Sequence, residues 1–316
     1  MWNSFLVAFN AVMPFLIYLL IGFGMVRFGW TDRPFLEKLN KLTFRAFFPI
    51  MMFQNIYSIT PEGMPSAKLL IMAGVSLLLL ILLLMAIVPR IVKENPRRGV
   101  IIQGIFRSNF LLYGVGLTVS VYGSEASAVA SVLVMEVVSM YNIAAVIVLE
   151  TFQGQGKSSP GELILKLLKN PLLQGCILGL VVFALKIRLP VFLEKPISSL
   201  ASIATPLAMI TLGGTLRFEA LRRNRNVLVP VLGIRLLVLP VVMVSIAYLI
   251  GLRGVELFLV LMVYGTPVAA SSYPMALNMG GDGELAGQLV FVSTVLSMGT
   301  VFGFIFLMSR LGLLGI

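Results

Sequence analysis

The chain has 316 residues, 59% of them hydrophobic and 12% charged, with a mean hydropathy of +1.01. A soluble domain is nearer 45–50% apolar and about 25% charged, so these values exclude a soluble fold and point to an all-α polytopic membrane protein. The net charge of +11 sits in short basic blocks between apolar runs, which fits loops beside a bilayer and excludes a nucleic-acid surface. A single cysteine, Cys176, rules out a disulfide framework within the chain. With no histidine, the commonest metal ligand is missing, so neither a metal nor a cofactor is expected.

In chain order the apolar runs predict ten spans, at about 5–26, 42–58, 69–89, 99–121, 128–149, 171–187, 197–216, 227–250, 255–277 and 285–308. Residues 1–4 lack a basic region and the run from Phe5 to Val26 is longer than the roughly 7–15 residues of a signal peptide's apolar core, so no signal peptide is expected. Sixteen of the 24 Lys and Arg residues fall in the first, third, fifth and seventh connections, six lie on the other side, and Arg107 and Arg235 lie inside spans. The positive-inside rule then puts the odd-numbered connections in the cytoplasm and both termini outside, in the cell (cytoplasmic) membrane.

The fifth connection, residues 151–170, carries a Gly, Ser and Pro cluster that reads as a cytoplasmic linker between 1–150 and 171–316. At an offset of 157 residues Pro14 falls on Pro171, Gly22 on Gly179, Pro49 on Pro206 and Gly123 on Gly280. Five spans per half make the second half enter the membrane from the opposite side. The expectation is therefore two inverted five-helix repeats.

The ninth span contains Gly265, Pro267 and Pro274 in its middle. Proline removes a donor and collides with the preceding turn, so carbonyls near Val263 and Tyr264 lose their partners. Such backbone must face protein or a wet cavity, which predicts a discontinuous helix with Thr266, Ser271 and Ser272 supplying hydroxyls. At the same offset Asn109 of the fourth span aligns with Thr266, while Gly114 and Gly116 lie beside the position of Pro274, so a matching interruption is expected there. Paired interrupted spans point to a transporter's binding site.

Charged side chains inside spans are costly, and each is a site hypothesis. Arg107 is either a fork that attracts a carboxylate or a residue that snorkels to the cytoplasmic end. Glu136, mid-span with Ser139 and Asn142 one and two turns on, is a candidate proton carrier, cation ligand or partner of Arg107 or Arg235. Glu136 and Asn142 are therefore the candidates for ion coupling, with H⁺ or Na⁺ as the coupling ion. Arg235 is expected to reach the cytoplasmic headgroups. Half-helix ends supply positive partial charge from unpaired N–H groups, so a small organic anion is expected between Asn109 and the segment Thr266, Pro267, Ser271.

The chain resembles the auxin efflux carrier family, bacterial branch, which includes plant PIN-type auxin exporters and bacterial malonate or malate carriers. The pieces that carry the resemblance are PFLIYLLIGFGMVRFGWTD, FFPIMMF, FRSNFLLYGVGL, the run Ser202 to Leu216, RLLVLP and YGTPVAASSYPMA, in this order and spacing. The resemblance implies a fold like sodium/bile-acid and sodium/proton transporters, with a scaffold and a transport domain, and helices 4 and 9 broken and crossing. It also implies a mono- or dicarboxylate held at that crossing, with Asn109 and Pro267 matching family positions, and a homodimer through the non-moving bundle. The chain departs from the family where a proline commonly follows the asparagine and this sequence has Gly114, Val115, Gly116, Leu117. The function expected is a secondary carrier of a small organic anion. A ligand-gated channel or a membrane sensor for such an anion is the alternative, and an intramembrane enzyme is disfavoured because HExxH, GxSG and in-span GxGD motifs are absent.

Overall fold

The computed structural model describes residues 2–58, 65–123, 126–153 and 160–315, and within these residues every extended regular element is a helix. In chain order the helices are α1 (Trp2–Arg27), α2 (Arg33–Leu42), α3 (Phe48–Tyr57), α4 (Ala67–Ile91), α5 (Asn95–Phe106), α6 (Val115–Tyr122), α7 (Ala126–Thr151), α8 (Pro160–Lys169), α9 (Pro171–Ala184), α10 (Val191–Thr215), α11 (Phe218–Arg223), α12 (Arg225–Gly233), α13 (Leu239–Leu249), α14 (Gly254–Gly265), α15 (Ser272–Asn278) and α16 (Gly283–Arg310). Wider π turns join α2 to α3 (Thr43–Phe47), lead into α6 (Phe110–Gly114) and join α12 to α13 (Ile234–Val238). Two of them stand just before a proline, Pro49 and Pro240, whose missing N–H interrupts the α-helical ladder.

Five helices among the described residues are long and apolar enough to cross a membrane: Ala67–Ile91, Val129–Thr151, Val191–Thr215, Arg225–Leu249 and Gly283–Arg310. Shorter apolar helices accompany them, at Val12–Arg27, Phe110–Tyr122, Pro171–Ala184 and Gly254–Gly265. α4 shows the logic. Ser66 caps its first turn by accepting from the Leu69 N–H, and its exposed residues Ile71, Val75, Leu78, Leu79, Leu82 and Leu83 form an apolar stripe at helical spacing. Leucine displayed on an outer face at 51–60% exposure needs hydrocarbon as its neighbour. The opposite stripe, Leu69, Ala73, Leu77 and Leu84, joins one large core cluster that draws on most of the helices.

The first connection, counted from sequence only for its basic residues, contains the helix α2. Asp32 caps α2 by accepting from Phe35 N–H at 2.8 Å, and α2 buries Leu36 and Asn40 while exposing its basic residues. The fifth connection also contains a helix, α8, which packs on α7 and α9; residues 154–159 of the expected linker lie outside the described residues.

The connections sort to two ends. At one end Arg97 Nε meets Asp282 at 3.1 Å, Arg97 Nη2 donates to Asn224 Oδ1 at 2.5 Å and Arg223 meets Glu284 at 2.7 Å, which ties together the turns after α4, α11 and α15. At the other end the Ser66 N–H and hydroxyl donate to the Glu256 carboxylate at 2.7 and 3.0 Å, and Tyr122 donates to the Leu314 carbonyl at 2.8 Å.

Helix pairs recur along the chain. α1 packs on α10 and α9 packs on α3 more extensively than any other pairs. In the first, Gly22 lies against the Ile210 carbonyl; in the second, Gly179 lies within 3.0 Å, as measured from a Cβ position, of the Phe53 carbonyl. The 157-residue offset that carries Gly22 to Gly179 also carries Phe53 to Ile210, so one contact is made twice. Only a glycine leaves room for backbones this close. The other elements correspond at the same offset to within about two residues: α4 with Arg225–Leu249, α5 with α14, α6 with α15, and α7 with α16.

Candidate functional site

Two helices stop in mid-bundle. α14 ends at Gly265 because Pro267 cannot donate and the residue before a proline is pushed to extended backbone; Thr266 has φ −73° and ψ 158°. α5 ends at Phe106 without a proline, with Arg107 extended at φ −89° and ψ 111°. The two extended segments run side by side. The Asn109 N–H donates to the Pro267 carbonyl at 2.8 Å, the Ala269 N–H donates to the Arg107 carbonyl at 3.3 Å, and Ser108 and Val268 form an antiparallel bridge. Each broken strand thereby supplies what the other has lost.

The interruption in the fourth span therefore falls at residues 107–109. Gly114 and Gly116 lie beyond it, Gly114 at the end of a π turn against Phe110 and Met262, Gly116 with open space where a Cβ would stand. The expectation that these glycines mark the break is corrected: pairing with the 266–269 segment holds the chain open, so no helix-breaking residue is needed at the site itself.

Beside the crossing lies a cavity of about 540 Å³, running towards the end of the bundle that holds Asn10, Asn55 and Ser198. Of the expected residues it is lined by Arg107, Asn109, Asn142 and Ser271. Further walls come from Pro14, Phe15 and Tyr18 of α1, Met51, Met52, Gln54 and Asn55 of α3, and Ser202, Thr205 and Pro206 of α10, which sequence reasoning did not select. Pro14 and Pro206 were visible as offset matches, the one signal that could have marked those walls.

Arg107 is 2% exposed, so it does not snorkel. Its Nη2 donates to Asn142 Oδ1 at 2.7 Å and its Nη1 points at the Met275 sulfur, a weak acceptor. Among the described residues no carboxylate lies within ion-pair distance of it. Asn109 turns its side chain to the cavity at 8% exposure. Tyr141 fixes the other flank, meeting Ser108 Oγ at 3.0 Å and the Val263 carbonyl at 3.1 Å.

The structure does not bring the other expected residues to the cavity wall. Thr266 is fully buried and donates to the Met262 carbonyl at 2.8 Å, finishing α14. Pro267 contributes its carbonyl to Asn109, and Ser272 is buried in the first turn of α15. Glu136 is on the face of α7 turned away from the cavity and lies against Gly74 of α4. Its pairing with Arg107 or Arg235 is not found: Arg107 binds Asn142, and Arg235 binds backbone carbonyls.

Arg235 overturns its expectation most clearly. It does not extend to the headgroups; it is completely buried, 0% exposed. The π turn before Pro240 rotates it inward, where Nη1 donates to the Ile105 carbonyl at 3.1 Å and Nη2 to the Thr266 and Val263 carbonyls at 2.8 and 3.4 Å. The carbonyls orphaned at Val263 and beyond, anticipated from the prolines, thus find a guanidinium.

Residues 7–305 match the family described as "Membrane transport protein". The chain belongs to this family. Membership in this family makes the chain a multi-pass membrane transporter, and the family is the auxin efflux carrier-like one that the motifs resemble. A relative from Methanothermobacter thermautotrophicus (strain Delta H), described as an uncharacterized transporter, is 25% identical over 304 residues, covering 92% of this chain and 94% of that protein. As a membrane transport protein, the chain has two interrupted helices beside a cavity of about 540 Å³, and a positive side chain lines it there.

Proposed function

We propose that the protein carries a small organic anion, a mono- or dicarboxylate, across the cytoplasmic membrane by alternating access. Arg107 is the observation that carries this reading. A guanidinium out of contact with bulk water, with no carboxylate beside it and an amide oxygen and a sulfur as its partners, is undercompensated. It lines the cavity, so an entering carboxylate completes it. The Asn109 amide and the Ser271 hydroxyl complete the pocket, and Asn142 aims the guanidinium.

Alternating access is supported by the correspondence of the two halves. The twice-made glycine contact and the matching elements fit ten spans in two inverted five-helix repeats, with α5–α6 and α14–α15 as the broken fourth and ninth spans. Basic residues concentrate in the odd-numbered connections, which makes that end cytoplasmic; the cavity then faces outward. A second crevice of about 250 Å³ lies at the opposite end, walled by Arg33, Glu37, Arg217 and Glu284. Between the two, Asn278 donates to Asn40 at 2.8 Å, Asn40 to Thr211 at 3.3 Å, and the Thr215 and Tyr273 hydroxyls meet at 2.8 Å. This polar seam joins α15 to α2 and α10, and its opening on the inner side would exchange one access path for the other. A closed layer at the crossing favours a carrier over a channel.

The test is a thermal-shift panel on the purified protein with small mono- and dicarboxylates and their neutral amides. At a hundredfold excess over Kd a ligand adds about 2.7 kcal/mol to the folded state, enough for a clear rise in Tm. Stabilisation by acids and not by amides is expected. Equal stabilisation by the amides ends the anion reading.

Glu136 lies off the substrate path, and the part left to it is proton coupling. Glu136→Gln in proteoliposomes is expected to leave anion exchange intact and to remove accumulation driven by a pH gradient. Unchanged pH-driven accumulation would reduce Glu136 to packing against α4.

A further inference from the structure

Arg235 takes no part in binding the anion, yet it is the most deeply placed charge in the described chain. Its three acceptors come from two helices that stop: Ile105 lies in the last turn of α5, Val263 in the last turn of α14, and Thr266 just past its end. The last carbonyls of any helix lack intrahelical donors and carry about half a negative charge between them. Here two such ends converge, and without a cation between them they would repel. Unwound carbonyls and half-helix C-termini are also the groups that coordinate a coupling Na⁺ in carriers built on broken helices.

We propose that Arg235 is a built-in cation that occupies the position of a coupling metal ion, so that the crossing holds together, and the carrier works, without sodium. Three features of the arrangement support it. Arg235 is tethered and fully buried, so it does not exchange with bulk ions. Its guanidinium stays protonated under all physiological conditions, which keeps the positive charge between the helix ends constant. Its counter-charge is supplied by backbone oxygens, as with a bound alkali ion: among the described residues no carboxylate lies within ion-pair distance of it. The Tyr141 hydroxyl, donating to the same Val263 carbonyl, adds to the cluster. Arg235 is therefore a positioning residue: it fixes the ends of α5 and α14 and, through them, the segment 107–109 that faces the cavity.

The experiment measures melting of the purified full chain in sodium chloride and in choline chloride at equal ionic strength, without any carboxylate. Its result is thus independent of the anion reading. Wild type is expected to melt at the same temperature in both salts; a sodium-specific rise overturns the proposal. Arg235→Ala leaves the three carbonyls facing an empty space and is expected to melt lower in choline and to recover by several degrees in sodium. A folded Arg235→Ala protein indifferent to sodium overturns the proposal as well. If Arg235→Ala does not fold in either salt, Arg235→Gln keeps donors without the charge. That variant is expected to fold with a lowered Tm and a smaller sodium-specific recovery, and indifference to sodium again counts against the inference.

Discussion

Arg107→Ala is expected to abolish uptake of the anion while leaving the protein folded. Two charge-assisted hydrogen bonds from a guanidinium to a carboxylate are worth about 1.5–3 kcal/mol each, and each 1.4 kcal/mol is tenfold, so apparent affinity should fall by roughly 10²–10⁴. The sign of the stability effect separates this from a structural role. Arg107 has the Asn142 oxygen and the Met275 sulfur as acceptors, so deleting it removes an undercompensated buried cation, and Tm is expected to hold or rise in the absence of ligand. Arg107→Lys keeps the charge without the planar fork and should recover only part of the affinity. The measurement is uptake of a labelled carboxylate into proteoliposomes together with a melting curve. Wild-type uptake by the alanine variant would remove Arg107 from the site, and with it the main support for an anion.

Gly22→Val is expected to have the largest effect on folding. A Cβ at Gly22 would fall on the Ile210 carbonyl carbon and oxygen, which are backbone and cannot rotate away. α1 and α10 would have to separate along their length, and overpacking of this kind costs about 1–3 kcal/mol and at times more. Because α1 and α10 also wall the cavity, through Pro14, Phe15 and Tyr18 and through Ser198, Ser202, Thr205 and Pro206, the separation would distort the site. Gly116→Ala provides the contrast: among the described residues no atom outside its own stretch of helix lies within 4 Å of a Cβ there, so Tm should stay level or rise slightly, since alanine is the better helix former. Melting of purified protein decides, and a Gly22→Val protein as stable as Gly116→Ala would show that the α1–α10 contact is not tight.

The break in the ninth span was legible because its cause is local. Pro267 has no N–H whatever surrounds it, and the orphaned carbonyls near Val263 follow from that alone. The break in the fourth span was legible only through the offset and was misplaced towards Gly114 and Gly116, since its cause is not local: residues 107–109 leave the helix because 267–269 pair with them. Arg235 was misread for a similar reason. By depth in its span it looked able to reach headgroups, but the π turn at 234–238 changes which way it faces, and a few degrees per residue decide that outcome.

By itself the sequence determined membrane residence, the alternation of basic and apolar blocks, the doubling at 157 residues and a proline-broken ninth helix. These depend on transfer free energies and on chemistry fixed within a turn or two of chain. Tertiary structure alone decided which polar groups meet. It set Arg107 against Asn142 at the cavity wall, sent Glu136 to the far face of α7, and closed Arg235 over carbonyls from two helices distant in sequence. Such contacts depend on helix rotation and on packing across more than a hundred residues, and no local pattern encodes them.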